Sequence, residues 1–155
     1  RDMLNPIADR YDYILIDCPP SLSLLTINGI LAAQNGVVIP VQCEYLALEG
    51  LGQLTDTLNR IRSSLYPELK VRGVILTMFD KRTRLAVDVV NEVRQYFPNE
   101  VFQTMIPRSV RIAEAPSYGQ PVSLYAPDSP AAIAYEELAK EILKQDGAKV
   151  TAPIS

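Results

Sequence analysis

Short apolar runs alternate along this chain with longer stretches whose apolar residues recur every three or four positions. The short runs predict buried strands, and the longer stretches predict helices with one apolar face. Such alternation is typical of repeated βα units, so we predict an α/β domain with a mostly parallel sheet and flanking helices. The predicted strands are 13–16, 36–41, 71–78 and 101–105, and the predicted helices lie within 21–33 and at 47–65, 85–97 and 131–144.

The stretch 109–130 is polar and contains several prolines, which makes its structure harder to assign. We predict a short helix, then a loop at 119–121, then a partly extended segment over 122–125. Residues 147–155 follow the last predicted helix and are expected to form a flexible tail.

The first predicted strand ends in Asp17, which is followed at once by Cys18-Pro19-Pro20. Prolines end a strand because they cannot donate to its ladder. Asp17 is therefore expected at the carboxyl end of a central strand, where open α/β sheets bind their ligands. This is the layout of a Walker B carboxylate that holds nucleotide-bound magnesium, although a helix-capping aspartate has the same pattern. The matching phosphate loop, G-x-x-x-x-G-K-[ST], does not occur in the 155 residues.

The amino-acid composition argues against several classes of protein. The chain has no histidine and only two cysteines, Cys18 and Cys43, which do not form a C-x-x-C pair. A zinc site or a catalytic triad is therefore not expected, and both cysteines are expected to be small buried residues of a cytoplasmic protein. No apolar run is long enough to span a membrane. The chain opens with Arg1-Asp2, which we interpret as an internal fragment or an excised domain.

Charge is distributed unevenly, although the net charge is only −3. The segment from Lys81 to Arg111 contains six basic residues and only three acidic ones. Such a local basic patch predicts a contact with a phosphate backbone, and solvated surface is the alternative interpretation.

Four separated segments together resemble the ParA/Soj chromosome- and plasmid-partition ATPases, deviant-Walker P-loop proteins related to MinD. The resemblance covers roughly 11–143, in the family's order and spacing. The segments are YDYILIDCPPSL (11–22), PVQCEYLALEGL (40–51), LTMFDKRT (76–83) and IPRSVRIAEAPSYGQP (106–121). It implies that residues 1–146 are the carboxyl-terminal part of a ParA-like ATPase domain, a partial P-loop NTPase fold without the amino-terminal half that carries the phosphate loop.

The resemblance also implies roles at a nucleotide site for ATP and Mg²⁺. Asp17 would hold magnesium through a water, and the second switch would follow it. Pro107 and Arg108 would form the base-binding loop, helped by Met78, for which a core position is an equally good interpretation. No complete catalytic set is present. The second switch would comprise Cys18, Pro19, Pro20 and Ser21.

Arg82 and Arg111 match positions where ParA/Soj proteins carry DNA-contacting arginines, and Lys81 and Arg84 could join them. Guanidinium groups that pair with phosphates bind DNA without sequence preference. Arg94 lies mid-helix and is expected to be ordinary surface. The family further implies an ATP-dependent homodimer, non-specific DNA, a ParB-like stimulating partner and a cytoplasmic, nucleoid-associated location without membrane binding.

Other classes of protein remain open at this stage. A MinD-like membrane ATPase shares the fold, but the acidic residues of 131–144 make a poor membrane surface. An iron-protein-type reductase would need cluster-ligating cysteines. A non-enzymatic interaction or dimerisation module would keep the fold without the activity. Gln42, Glu44 and Glu49 are a candidate cluster for acid–base catalysis, but the resemblance to ParA-like proteins implies a position near the dimer interface, so an interface role is favoured over catalysis.

The absent phosphate-loop strand has a physical consequence in this interpretation. Its loss would leave the Asp17 strand with an unpaired edge, and such edges invite pairing with another chain. We therefore expect this chain alone to self-associate or to be marginally stable, to bind ATP very weakly and to hydrolyse none.

Overall fold

The computed structural model describes residues 2–19 and 23–147, except the side chains of 46–49. Its elements confirm the predicted βα alternation. The helices are α1 (Asn5–Ala8), α2 (Leu24–Ala32), α3 (Tyr45–Ser64), α4 (Arg84–Tyr96), α5 (Val110–Glu114), α6 (Val122–Tyr125) and α7 (Pro130–Gln145), with a 3₁₀ turn at Ala115–Tyr118. The strands are β1 (Val37–Gln42), β2 (Val71–Phe79) and β3 (Val101–Pro107), in the order β1-β2-β3.

The strands run parallel, as predicted. The Val37 amide bonds the Lys70 carbonyl, and six residues further on the Cys43 amide bonds the Thr77 carbonyl. Residue numbers therefore increase together along β1 and β2. β2 and β3 are parallel with two register shifts, so the ladder between them is irregular at two points.

The chain divides into two compact units, residues 1–38 with 53–72 and residues 39–52 with 73–155. In the first unit, the irregular segment that contains Ile16 and Cys18 lies close to α2 at Gly29. A Cβ on Gly29 would approach the Cys18 Sγ to 2.6 Å, so only glycine fits there. Thr26 Oγ1 of the same helix donates to the Pro19 carbonyl at 3.5 Å.

The predicted strand 13–16 is wrong. These residues belong to no strand, and all four are exposed, Leu15 at 91%. A buried strand needs a neighbouring strand on its hydrogen-bonding edge and covered faces, and the three-stranded sheet of the described residues offers 13–16 neither. Asp17 consequently follows a segment without regular secondary structure rather than a central strand.

In the second unit, Phe102 on β3 lies at the centre of the core. It packs with Ile106 of the same strand and Leu138 of α7. Gly73 on β2 leaves the space for its ring, since an added Cβ would overlap the Phe102 side chain. Further partly buried side chains pack against this cluster, namely Ile75, Ile112, Ala134 and Ile142.

Helix α4 shows why its sequence pattern was predictive. Thr83 caps it, its hydroxyl accepting the Ala86 amide at 3.4 Å. The buried positions Ala86, Val89 and Val93 recur at threes and fours. Apolar residues at this spacing predict that Tyr96 and Phe97 lie on the inner face; Phe97 is buried, whereas Tyr96 at the end of the helix is 52% exposed.

The predicted extended segment 122–125 is wrong as well. It forms the single helical turn α6, in which the Tyr125 amide donates to the Pro121 carbonyl at 3.0 Å. Four residues are too few for hydrophobic periodicity to separate a helical turn from a strand. Of the predicted tail, only Gly147 lies within the described residues.

Strand β3 is an outer strand of the sheet, and a side chain covers part of its free edge. The carboxylate of Glu141 on α7 accepts the amides of Gln103 at 2.7 Å and Thr104 at 3.1 Å. Between the pairs Val74–Val101 and Leu76–Met105, β3 advances further than β2, so β3 bulges at these amides. A charged acceptor from the helix thus replaces a neighbouring strand.

Candidate functional site

All three strands end at the same edge of the sheet, and a charged residue follows each end. Glu44 follows β1, Asp80 follows β2 and Arg108 follows β3. The Arg108 guanidinium pairs with the Glu44 carboxylate across 64 residues of sequence. The Arg108 amide donates to the carbonyl of Phe79, the last residue of β2, at 3.0 Å.

Met78 has an unusual backbone at this edge. Its φ is +53°, the left-handed region that non-glycine residues rarely adopt. Between the pairs Leu76–Met105 and Phe79–Pro107, three steps along β2 match two along β3, so Met78 lies at a bulge. Met78 is 40% exposed and is therefore not a core residue, which leaves its side chain available at the sheet edge.

The loop between β2 and α4 holds Arg82 in a defined position. Its Nε donates to Asp80 Oδ1 at 2.9 Å, and its Nη2 donates to Asp80 Oδ2 at 2.7 Å. The Arg82 backbone amide also donates to Oδ1, at 3.0 Å. The fork of a guanidinium matches a carboxylate in this two-point geometry. Arg82 nevertheless keeps 83% of its side chain exposed, so its remaining donors face solvent.

This geometry lowers the pKa of Asp80 from 3.8 to about 2. The main cause is the side-chain hydrogen bond from Arg82, followed by the Arg82 backbone amide, and the charge of Arg108 contributes as well. Arg108 is thus electrostatically linked to both acidic residues at the sheet edge, through its ion pair with Glu44 and its effect on Asp80.

The Asp80 titration gives a direct test of this loop. We expect a carboxyl pKa of about 2 by carbon-detected NMR titration, and a return towards 3.8 in Arg82→Gln. Because the pKa is lowered in the folded state, the pair contributes stability above pH 3.8 that is lost as the pH falls towards 2. Lys81→Gln is the control that should leave the value low; an Asp80 pKa unchanged by Arg82→Gln would contradict the assignment.

The other predicted basic residues differ in their surroundings. Lys81 and Arg84 are exposed, and no ion pair to either is found among the described side chains. Arg111 on α5 instead bonds the Glu114 carboxylate at 3.0 Å, and the Tyr125 hydroxyl donates to the same carboxylate at 3.2 Å. The two arginines expected to contact DNA are thus both held by an acidic neighbour.

Arg111 also borders an open pocket of about 480 Å³. The Tyr125 ring on the pocket wall stacks on Tyr118 with centroids 4.9 Å apart. Asp128 in the lining makes the pocket mixed in charge. Its remaining lining residues are Ala126, Pro127 and Ser129, the last being the N-cap of α7.

The predicted magnesium and switch residues lie in the other unit of the chain. Asp17 is exposed, Cys18 is half-buried, and Pro19 accepts the Thr26 hydrogen bond. Pro20 and Ser21 lie outside the described residues. In the described part of the chain, no three His, Cys, Asp or Glu side chains form a metal-binding group. Cys43 is buried as expected, and desolvation raises the pKa of its thiol to about 11.

Sequence reasoning missed Asp80 and Glu114 as partners of the two arginines, and it assigned Glu44 no partner. All three acidic residues lie in the segments that resemble ParA/Soj proteins. Asp80 is two residues from Arg82, and Glu114 is three residues from Arg111. Such short spacing was a usable signal. The contact between Glu44 and Arg108 had none, because only the parallel sheet brings these residues together.

Comparison with known proteins shows which proteins this chain is related to. A family model described as an AAA domain matches residues 1–71. The chromosome partitioning protein ParA of Myxococcus xanthus is 52% identical over 149 residues, which are 96% of this chain and 52% of that protein. This chain is a ParA/Soj homologue. The sporulation initiation inhibitor protein Soj of Bacillus subtilis is 54% identical to it over 90% of the chain and 54% of its own length.

A solved structure extends the likeness to the fold. The cobyrinic acid a,c-diamide synthase of Mycobacterium smegmatis with bound ADP and magnesium matches with a TM-score of 0.73 and 32% identity, over 97% of this chain and 55% of that one. The fold of the ParA/Soj homologue is accordingly of the P-loop NTPase type, as predicted. The chain spans about half the length of the relatives that it matches.

The residues of the ParA/Soj homologue fit a nucleotide and magnesium only in part. Magnesium keeps most of its waters and needs one or two carboxylates, which the exposed Asp17 can provide. The edge with Met78, Pro107 and Arg108 offers an exposed apolar side chain for contact with a base, whereas the Arg108 amide already donates to the Phe79 carbonyl and proline has no amide hydrogen. A phosphate loop is not among the 155 residues. None of the helices in the described part has the length and apolar character needed to cross a bilayer.

Proposed function

We propose that this chain is part of an ATP-dependent DNA-partitioning ATPase that dimerises with ATP and binds DNA non-specifically. The observation that carries the proposal is the 52% identity to a chromosome partitioning protein over 96% of the chain. Residues 1–146 would contribute the carboxyl-terminal part of the ATPase domain. The protein would act in the cytoplasm on the nucleoid, with a ParB-like protein stimulating hydrolysis.

The proposal gives each group of residues at the nucleotide site a separate role. Asp17 would hold magnesium through water, and Cys18, Pro19, Pro20 and Ser21 would sense the γ-phosphate as the second switch. Backbone groups of Pro107 and Arg108, with the side chain of Met78, would contact the adenine. The chemistry is attack of water on the γ-phosphate, which proteins accelerate mainly by positioning and by neutralising charge.

DNA binding is proposed for the surface of Lys81, Arg82, Arg84 and Arg111. The two-point bond between Arg82 and Asp80 supports this role, because it fixes the direction of the guanidinium while leaving 83% of the side chain exposed. Its free donors are then available to a phosphate at a small entropic cost.

The test begins with the coding region immediately upstream of Arg1. An in-frame K-G-G-x-G-K-[ST] loop is the expected result, and the full-length product of that reading frame should then bind DNA only with magnesium-ATP. A frame that begins near Arg1 would sink the proposal and favour an interaction or dimerisation module. The 155-residue chain alone should show no ATP hydrolysis and no thermal shift with magnesium-ATP; a shift of several degrees would contradict this part.

A further inference from the structure

Arg108 is held at two points by the ends of two other strands. Its backbone amide donates to the carbonyl of Phe79 at 3.0 Å. Its guanidinium pairs with Glu44, two residues beyond the end of β1. A residue of the connection between β3 and α5 is therefore tied to both β1 and β2. All three residues belong to the same compact unit.

The pair between Arg108 and Glu44 is too exposed to be explained by folding stability. The two side chains are 56% and 44% exposed, and exposed ion pairs contribute little to stability. Its main consequence is geometric, because it restricts the loop that starts at Pro107.

The strained backbone at Met78 lies next to the hydrogen bond between Arg108 and Phe79. Met78 directly precedes Phe79, whose carbonyl accepts the Arg108 amide. Strained non-glycine residues persist where surrounding structure over-determines them, and they concentrate at ligand clamps. The hydrogen bond from Arg108 is one of the contacts that hold this end of β2.

We propose that Glu44 is a positioning residue for the base-binding loop. By holding the Arg108 side chain, it fixes the backbone of Pro107 and Arg108 beside Met78, so that the groups facing the adenine edge are ordered before a nucleotide arrives. This inference rests on the proposed function. Pre-organisation raises affinity because less loop ordering is left to occur on binding.

The first test uses the full-length product of the reading frame without any nucleotide. In Glu44→Gln, the Arg108 amide should exchange its hydrogen about tenfold faster, because its bond to Phe79 opens more often. The melting temperature should stay nearly unchanged. The matched control is Glu136→Gln, which removes a similarly exposed carboxylate from Lys140 on α7. An unchanged exchange rate at Arg108 would overturn the proposal.

The second test separates positioning from general damage in the full-length product of the reading frame. Glu44→Gln and Arg108→Gln should each weaken ATP binding about tenfold, equivalent to about 1.4 kcal/mol, and leave the affinity for inorganic tripolyphosphate unchanged. The double variant should be no weaker than either single one, since both remove one contact. The exchange Glu44→Arg with Arg108→Glu should restore much of the ATP affinity.

The possible results separate a failure of the proposed function from a failure of the role given to Glu44. A full-length protein that binds no ATP at all would refute the proposed function itself. A protein that binds ATP with an affinity insensitive to Glu44→Gln would refute only the role of Glu44. An equal loss of ATP and tripolyphosphate affinity would also refute it, because a loop at the base has no reason to affect a ligand without one.

Discussion

Replacing Gly73 with alanine is expected to lower the free energy of unfolding by about 3 kcal/mol. The added methyl group would overlap the Phe102 ring and come within 2.9 Å even of its Cδ2 atom. Phe102 is 1% exposed and packs against Ile106 and Leu138, so the ring has little room to move away. Chemical denaturation of the full-length product followed by circular dichroism would measure the loss, which is large against a total stability of about 5–15 kcal/mol for a typical domain.

A double-mutant cycle shows whether this clash is the cause. Phe102→Ala alone should cost about 3–5 kcal/mol through the cavity that it leaves. In that background Gly73→Ala should cost much less, because the ring that it would strike is gone. Gly50→Ala is a control of opposite sign: it lies in α3 with nothing near its added Cβ, and it should stabilise by about 0.5–1 kcal/mol. Additive costs of the two core changes would contradict the packing argument.

The second large effect concerns DNA binding by the full-length product with magnesium-ATP. Arg82→Gln and Arg111→Gln should each weaken non-specific binding about tenfold and lower the slope of log K against log salt by about 1. Each change removes one phosphate contact. Arg82→Gln should have a larger effect than Lys81→Gln, because it also leaves the Asp80 carboxylate uncompensated beside the DNA. Fluorescence anisotropy over a salt series measures both quantities.

Arg94→Gln supplies the matched control for these variants. It removes the same charge from an exposed arginine of α4 that has no proposed contact with DNA. Its affinity and slope should equal those of the unaltered protein, and ATP binding should be intact in all variants. Equal losses in Arg94→Gln and Arg82→Gln would reduce the effect to net charge, and unchanged affinity in Arg82→Gln and Arg111→Gln would move the DNA site elsewhere.

How far the sequence predicted the fold depends on how local each signal was. Helix α4 (Arg84–Tyr96) lies within one residue of the predicted 85–97 at each end, because its stripe of apolar residues is encoded within the helix itself. The segment 13–16 has an equally apolar pattern and forms no strand. A strand exists only with a partner, and apolar residues alone do not provide one. Segment 122–125 failed for another reason, because four residues carry too little periodicity to exclude a helical turn.

The candidate site shows the same division. The residue types at Asp80, Arg82 and Arg108 were visible in motifs, and the sheet places them along one edge. What the sequence did not reveal was their pairing, in particular that the only ion-pair partner found for Arg108 among the described residues is Glu44. Pairing across 64 positions depends on which strands lie side by side. The positive φ of Met78 was also hidden, because methionine carries no preference for that conformation.

The Glu141 carboxylate on the outer flank of β3 has a consequence for how copies of this chain can join. Sheets grow into fibres only when both flanks accept a new strand. On the β3 flank, the amides of Gln103 and Thr104 already donate to Glu141, so an incoming strand would have to displace a charged acceptor to bond them. This contact therefore disfavours strand addition at that part of the β3 flank, and with it open-ended growth of the sheet through β3.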